Sequence, residues 1–285
     1  MHIFPLPAKE EIKAYYEYDY SIQYLNEKND RLRYQLKRYF LYKIKHRFAA
    51  LRFDSQMKFI SFHLKHHAAR RYKNMLDIGC GTGATLHYFN KKGWQVEGLE
   101  FNPYFAQKIR DTLMNENIIE SDIESHDFGD KKFDLIVMSH VFEHLARPIE
   151  VLKKIKELLV RDGFIFIEIP NSAHELFKHP DYDDIEHTFF YSYDTLKKIL
   201  QISGFRVIDI ESVDPLELAI GRHFYSAILY FKKGKIIKMM IPTLHFIFSA
   251  FSLFKLIFLK RNTSIIKKDT TGSCLRAIAV LGENK

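Results

Sequence analysis

The residues Met75-Leu-Asp-Ile-Gly-Cys-Gly-Thr-Gly83 carry the densest chemical signal in the chain. A short apolar run, an acid and three glycines at alternate positions describe a buried strand entering a tight turn. Glycine lacks a Cβ and tolerates positive φ, so the backbone of such a turn can lie flat against a ligand. Glu100 closes a second strand-like run that begins at Trp94. An acid at the tip of a second strand is where dinucleotide-type folds hold a ribose diol. The spacing G-x-G-x-G departs from the usual dinucleotide fingerprint, and no G-x-x-x-x-G-K-[ST] phosphate loop is present. Asp77 would repel a phosphate, so the turn suits a cationic or zwitterionic ligand better than a pyrophosphate.

The elements that must position these residues alternate. Strand-like runs fall at 75–78, 94–99, 117–119, 133–138, 164–169 and 206–211, with helical stretches at 84–92, 103–115, 148–160 and 194–203. Pro148 opens one helix and Gly163 follows it as C-terminal punctuation. Strand–helix alternation predicts parallel strands joined by right-handed crossovers, with ligands outside the carboxyl ends of the strands.

Leu76-Asp77-Ile78-Gly79-Cys80-Gly81-Thr82-Gly83 resembles motif I of the class I S-adenosylmethionine (SAM) dependent methyltransferases. Phe133 to Leu145 resembles that family's fourth strand and following loop. Asp162-Gly163 and Phe164 to Asn171 resemble its fifth strand. Glu186 to Ser192, then a helix ending at Gly204-Phe205, is similar to the ubiquinone-biosynthesis-like branch and its relatives in polysaccharide gene clusters. The resemblance covers about residues 70–212 and implies SAM as cofactor. It implies a Rossmann-like α/β fold: a seven-stranded sheet, helices on both faces, and a last strand that runs antiparallel. Ser273 to Leu281 fits that last strand.

The resemblance also places the cofactor contacts. Asp77 would orient the methionine amino group. Gly79, Cys80, Gly81 and Gly83 form the loop against the methionine and ribose, Cys80 as a packed small residue. Glu100 would accept the ribose hydroxyls and Phe101 would pack on the adenine. Asp122 aligns with the acid that accepts from the adenine amino group, with Ile123 beside it, though a purely structural role in the acid-rich stretch 120–130 stays open. Met138 and Ser139 end the fourth strand under the sulfonium. Candidate acceptor-side groups are His140, Glu143 and His144 after strand four and His187 after strand five, with His187 the first choice for a base. Relatives with Glu-x-x-Glu-His bind a divalent ion. Here His140 replaces the first Glu, and imidazole suits zinc or iron better than magnesium. No metal ligands are therefore assigned.

The remaining chain frames this core. Hydrophobic residues at 47% and charged residues at 27% describe a globular chain, and a net charge of +8 favours acidic partners. Two cysteines make no disulfide framework, so a reducing cytoplasm is expected. The N-terminal residues lack the charged and apolar regions of a signal peptide. Residues 1–70 read as a Tyr-rich helical cap whose basic run Arg31–Arg47 is either solvated or a surface for anionic substrate or lipid headgroups. Nucleic acid is not expected, since no recognised module accompanies the charge. Residues 71–212 are the methyltransferase core, 213–272 an insertion, and 273–285 the final strand and tail. Within the insertion, residues 236–261 read as an apolar helix with a narrow polar stripe and basic flanks. It would lie on an anionic membrane surface, at the inner face of the cell membrane, or be buried in the protein's own core or an oligomer interface. The acceptor expected is a small-molecule, lipid-linked or glycan-related compound, with a soluble nucleotide-sugar methyltransferase and a non-catalytic scaffold as rivals.

Overall fold

The computed structural model describes residues 52–66, 73–113, 117–174, 187–215, 264–267 and 272–282. The basic run 31–47 and the apolar stretch 236–261 lie outside the described residues. Helix α1 (residues 52–66) precedes β1 (Asn74–Ile78), α2 (Ala84–Asn90), β2 (Gln95–Glu100), α3 (Pro103–Leu113), β3 (Ile118–Glu120) and β4 (Phe133–Ser139). A 3-10 turn (Phe142–His144) leads to α4 (Pro148–Leu158), β5 (Leu159–Pro170), α5 (Tyr193–Ile202), β6 (Phe205–Pro215), β7 (Ser264–Lys267) and β8 (Cys274–Leu281).

The strands form one sheet in the order β3-β2-β1-β4-β5-β8-β6-β7. β1 pairs in parallel with β2 and β4, β2 with β3, and β4 with β5. β8 enters antiparallel between β5 and β6, as expected of the last strand. Strand order reverses between β1 and β4, and the turn after β1 opens at that switch point, where α/β sheets bind ligands.

Both faces of the sheet are buried, which is why its strands read as continuous apolar runs. Leu76, Ile78, Ile136, Met138, Ile165 and Ile167 point to one side, where Leu152 and Ile155 of α4 and Leu196 and Leu200 of α5 cover them. Met75, Leu135, Val137, Phe164 and Phe166 point to the other, under Met57 and Ile60 of α1, Leu86 of α2 and Ile109 of α3. Ser192 and Thr195 cap α5 reciprocally, each side chain accepting from the other's backbone N–H.

Three differences from the sequence reading have physical causes. β5 begins at Leu159, not near 164, because Leu159 is buried and pairs with Phe133 before the register shifts at Leu135. Gly163 therefore lies inside the strand and does not follow the helix. A Cβ there would sit 3.0 Å from the carbonyl oxygens of Phe133 and Val160. Lastly, an eighth strand comes from the stretch read as insertion: β7 pairs antiparallel with the far end of β6, Pro215 opposite Ser264. Among the described residues no helix is long and apolar enough to cross a membrane.

Candidate active site

The turn after β1 is held by its neighbour strand. Gly79 and Cys80 donate backbone N–H to the Leu99 carbonyl at 2.7 and 3.2 Å. Gly79, Gly81 and Gly83 have φ of 67°, 53° and 73°. At Gly79 a second constraint acts: any Cβ would collide with Val141, in the loop after β4.

The two carboxyls of this site are buried. Glu100 Oε2 accepts the Gly81 N–H at 2.7 Å and Oε1 the Asn102 N–H at 2.9 Å. Burial pushes the Glu100 carboxyl up, and those backbone donors, with that of Phe101, oppose it. Burial, then the charge of Glu100, pushes Asp77 up to about 8, against the Thr85 hydroxyl. Burial and the same two carboxyls push the Cys80 thiol up as well, so it is a packing group and not a nucleophile. Phe101 is half-buried. The next residue, Asn102, caps α3 by accepting from Tyr104 and Phe105 N–H at 3.0 and 3.3 Å.

Asp77 has a directional consequence. An acid whose folded value stands above its ordinary value of 3.8 keeps its proton up to about pH 8. A ligand ammonium at that carboxyl favours the charged form, so cofactor binding below pH 8 should expel about one proton. Affinity should rise towards tenfold per pH unit up to about 8 and then level. Calorimetry of SAM binding at pH 7 in buffers of different ionisation enthalpy measures the proton count. Zero protons released would contradict the arrangement.

Asp122 and Ile123 follow β3, and the chain is tied to β2 there by Ser121 N–H donating to the Glu100 carbonyl at 3.1 Å. Ile123 is buried beside Leu76 and Leu99, whereas Asp122 Oδ1 accepts from the Glu124 N–H at 3.0 Å. Met138 is wholly buried, and Ser139 accepts from Gln56 of α1 at 2.9 Å.

A second cluster stands at the ends of β4 and β5. His140 is the one non-glycine residue with positive φ among the described residues, at 56°. Its N–H donates to the Glu168 carbonyl at 2.8 Å, and its ring lies 3.2 Å from Glu143 and 3.3 Å from Glu168. Burial and the Arg52 guanidinium push the imidazole's pKa down, but bonds to Cys274, Glu143 and Glu168 outweigh them and raise it well above the ordinary value. The loop after β5 is zipped onto this turn: Phe189 N–H donates to the Glu143 carbonyl and Thr188 Oγ1 to that of His144. His144 and His187 thereby come together, ring centroids 4.8 Å apart, each with Nε2 at 3.9 Å from Glu143 Oε1. All four acceptor-side candidates are thus gathered, and the Gly79–Val141 contact joins them to the carboxyl-lined turn.

Ligand atoms of Glu143, His144 and His187 all lie within 4.8 Å of one another. Glu143 is 1% exposed, and its Oε1 lies 3.2 Å from the His140 ring and 3.9 Å from those of His144 and His187. Burial pushes its carboxyl up, yet the bond and charge of His140 and the charge of His144 bring it below the ordinary value. A buried carboxylate with two imidazoles beside it is a donor set that fits a transition-metal ion.

The residues missing from the sequence reading form a buried ionic row. Glu168 of β5 stands directly opposite Arg276 of β8, which in turn faces Glu211 of β6. Arg276 Nε donates to Glu168 Oε2, its Nη1 to Ser55 at 2.9 Å and to Glu211 at 3.4 Å. Arg52 of α1 donates to Glu168 Oε1 at 2.7 Å through Nη2, which also contacts His140. A signal existed: Glu168 is the one charge in the run 164–170, and Arg276 the one charge in 274–281.

The family described as "Methyltransferase domain" matches residues 33–210. The chain is 32% identical over 102 residues to an (S)-coclaurine N-methyltransferase of Thalictrum flavum subsp. glaucum, covering 33% of this chain and 28% of that protein. It is 27% identical over 104 residues to a ubiquinone biosynthesis O-methyltransferase of Serratia proteamaculans, covering 35% and 43%. The chain thus spans less than half the length of these relatives. In fold it is similar to the Haloferax volcanii methyltransferase solved with the Trm112 methyltransferase activator, at a TM-score of 0.53 and 16% identity, over 84% of this chain and 94% of that one.

Proposed function

The chain belongs to the methyltransferase-domain family, and from that premise we propose that it is a class I SAM-dependent methyltransferase whose acceptor is a small molecule of lipid-linked, quinone-like or glycan-related chemistry. The observation that carries this reading is the joining of two clusters through Val141: a buried, carboxyl-lined turn suited to a zwitterion, and an imidazole group at the ends of β4 and β5. We assign Asp77 to the methionine ammonium, Glu100 to the ribose and Phe101, Asp122 and Ile123 to the adenine. Gly79, Cys80, Gly81 and Gly83 form the loop against the methionine and ribose, and Met138 and Ser139 lie near the sulfonium. Methyl transfer is an in-line displacement in which the sulfur–carbon bond breaks as the acceptor–carbon bond forms, so alignment supplies much of the acceleration. An oxygen or nitrogen acceptor also gives up a proton, which His187 takes, with His140, Glu143 and His144 setting the surroundings. The test is methyl transfer from labelled SAM into fractionated extract of cells lacking the protein, with mass determination of the product. A product mass identifies the acceptor. Tight SAM binding with no labelled product in any fraction would favour the scaffold alternative, and a labelled nucleotide sugar the soluble one.

We propose the layout of cap 1–70, core 71–212, insertion 213–272 and final strand with tail 273–285. The protein is assigned to the cytoplasm, docked on the inner membrane face through residues 236–261. The basic flanks and apolar faces of that sequence support this. Each Lys near an anionic surface contributes about 1 kcal/mol, screened by salt. In flotation with anionic liposomes, the wild type should rise with the vesicles and a Phe248→Glu, Phe251→Glu, Phe254→Glu variant should stay behind. If both remain below, the segment is internal or an oligomer interface.

A second reading concerns metal. The Glu143–His144–His187 set, a buried carboxylate with two imidazoles beside it, favours a bound divalent transition ion. Such an ion would lower the pKa of an acceptor hydroxyl. Our primary reading is metal-independent transfer, in which His187→Ala lowers turnover far more than SAM affinity and chelator leaves turnover intact. Turnover abolished by chelator and restored by one metal would establish the second reading in its place.

A further inference from the structure

We propose that Lys154 of α4 is a positioning residue for the adenine subsite, fixing the turn 122–126 so that Asp122 can read the base. The inference rests on the assignment of Asp122 to adenine made above. Lys154 Nζ donates to three backbone carbonyls of one turn: Ile123 at 2.8 Å, Glu124 at 3.1 Å and His126 at 3.0 Å. An ammonium has three donors and no acceptor, so these three bonds use its whole capacity. Three carbonyl dipoles aimed at one point repel one another unless a cation sits there. The turn's own bonds, Ser125 and His126 N–H to the Asp122 carbonyl at 3.1 and 2.8 Å, tie it to Asp122.

The mount is rigid. Val151 and Ile155 flank Lys154 on α4 and are buried in the core that also holds Ile123. At its other end the turn joins β2 through the Ser121–Glu100 bond, beside the ribose acid. Glu124 adds a separate clasp, accepting the Arg147 N–H at 2.9 Å and lying 3.5 Å from the Arg147 side chain. Lys154 therefore couples a core helix to the base-reading turn.

The role differs from plain stability in what it should move. Asp122 accepts from the 6-amino group of adenine, whereas a 6-oxo base turns a lone pair towards it. S-adenosylhomocysteine and its inosine counterpart, S-inosylhomocysteine, are therefore the probes. Calorimetry on the wild type should show the adenine compound bound about 10–100-fold more tightly, as for a site built around one polar contact. Lys154→Met keeps the length and removes the donors. It should bring the ratio to within about threefold, chiefly by weakening the adenine compound. Arg147→Gln, which removes the side-chain contact to Glu124 but leaves its backbone clasp and the three carbonyl bonds, should keep the wild-type ratio. Asp122→Asn should abolish it. A wild-type ratio near one overturns both the Asp122 assignment and this inference. A ratio that Asp122→Asn abolishes but folded Lys154→Met preserves overturns the Lys154 role alone. So does an equal collapse in Arg147→Gln, which would make the effect one of general turn stability.

Discussion

Glu168→Gln should lower the unfolding free energy by about 3–5 kcal/mol, the cost of leaving buried guanidinium charge without its carboxylate. Glu168 and Arg276 are each 1% exposed, so water cannot take the missing partner's place. Burial pushes the Glu168 carboxyl up, but Arg52, Arg276 and His140 together hold it well below the ordinary carboxylate range. In a chain of this size the loss corresponds to a melting temperature lower by about 6–20 °C. Arg52→Gln should do much less, since its side chain is 32% exposed and the Glu168–Arg276 pair stays whole. The sign with pH follows from the depressed value. Glu168's contribution is complete above the ordinary carboxyl range and is lost as pH falls through its folded value, so the gap between wild type and variant should narrow in acid. A melting shift of less than about 2 °C at neutral pH would show that the row is not held as described.

Glu100→Ala should weaken SAM binding by about 10–100-fold, or roughly 1–3 kcal/mol. The variant loses the group assigned to the ribose hydroxyls and also unclips the glycine turn, because Glu100 takes the Gly81 and Asn102 N–H groups. The two losses can be separated. Glu100→Gln keeps one acceptor oxygen, enough for one side of that clip, so it should recover part of the affinity. Calorimetry on folded protein measures both. Unchanged affinity in Glu100→Ala would remove Glu100 from the cofactor site, and no SAM binding by the wild type would remove the enzyme reading altogether.

What could be read from the chain without its fold was whatever depends on neighbours in sequence. The Met75–Gly83 turn announces itself because its glycines, its acid and its apolar lead-in are contiguous, and Glu100 because it ends the next apolar run. The pairing within the ionic row was out of reach for the opposite reason, although the lone charges in two apolar runs were visible. Glu168, Arg276 and Glu211 meet only once β8 takes its register between β5 and β6, and a slip of one residue would turn Arg276 to the other face. Arg52 and Gln56 belong to a helix whose placement over the strand ends is set by Met57 and Ile60 packing, not by any local motif. The left-handed backbone of His140 likewise sits among bonds between residues distant in sequence, its own N–H to the Glu168 carbonyl of β5 and Phe189 N–H to the Glu143 carbonyl. The four acceptor-side residues were nameable from sequence. Their mutual distances, which decide between a lone base and a metal ligand set, were not.

The pairing of Pro215 with Ser264 turns residues 216–263 into a cassette. Chain leaves the sheet on β6 and re-enters on the adjoining β7, so the sheet registers only that the two ends meet. The register of β6 against β7 depends on where those ends pair and not on how many residues separate them in sequence. Sequence between them can therefore change from one lineage to the next while the pairing of β1 with β2 and β4, which frames the glycine turn, stays unaltered.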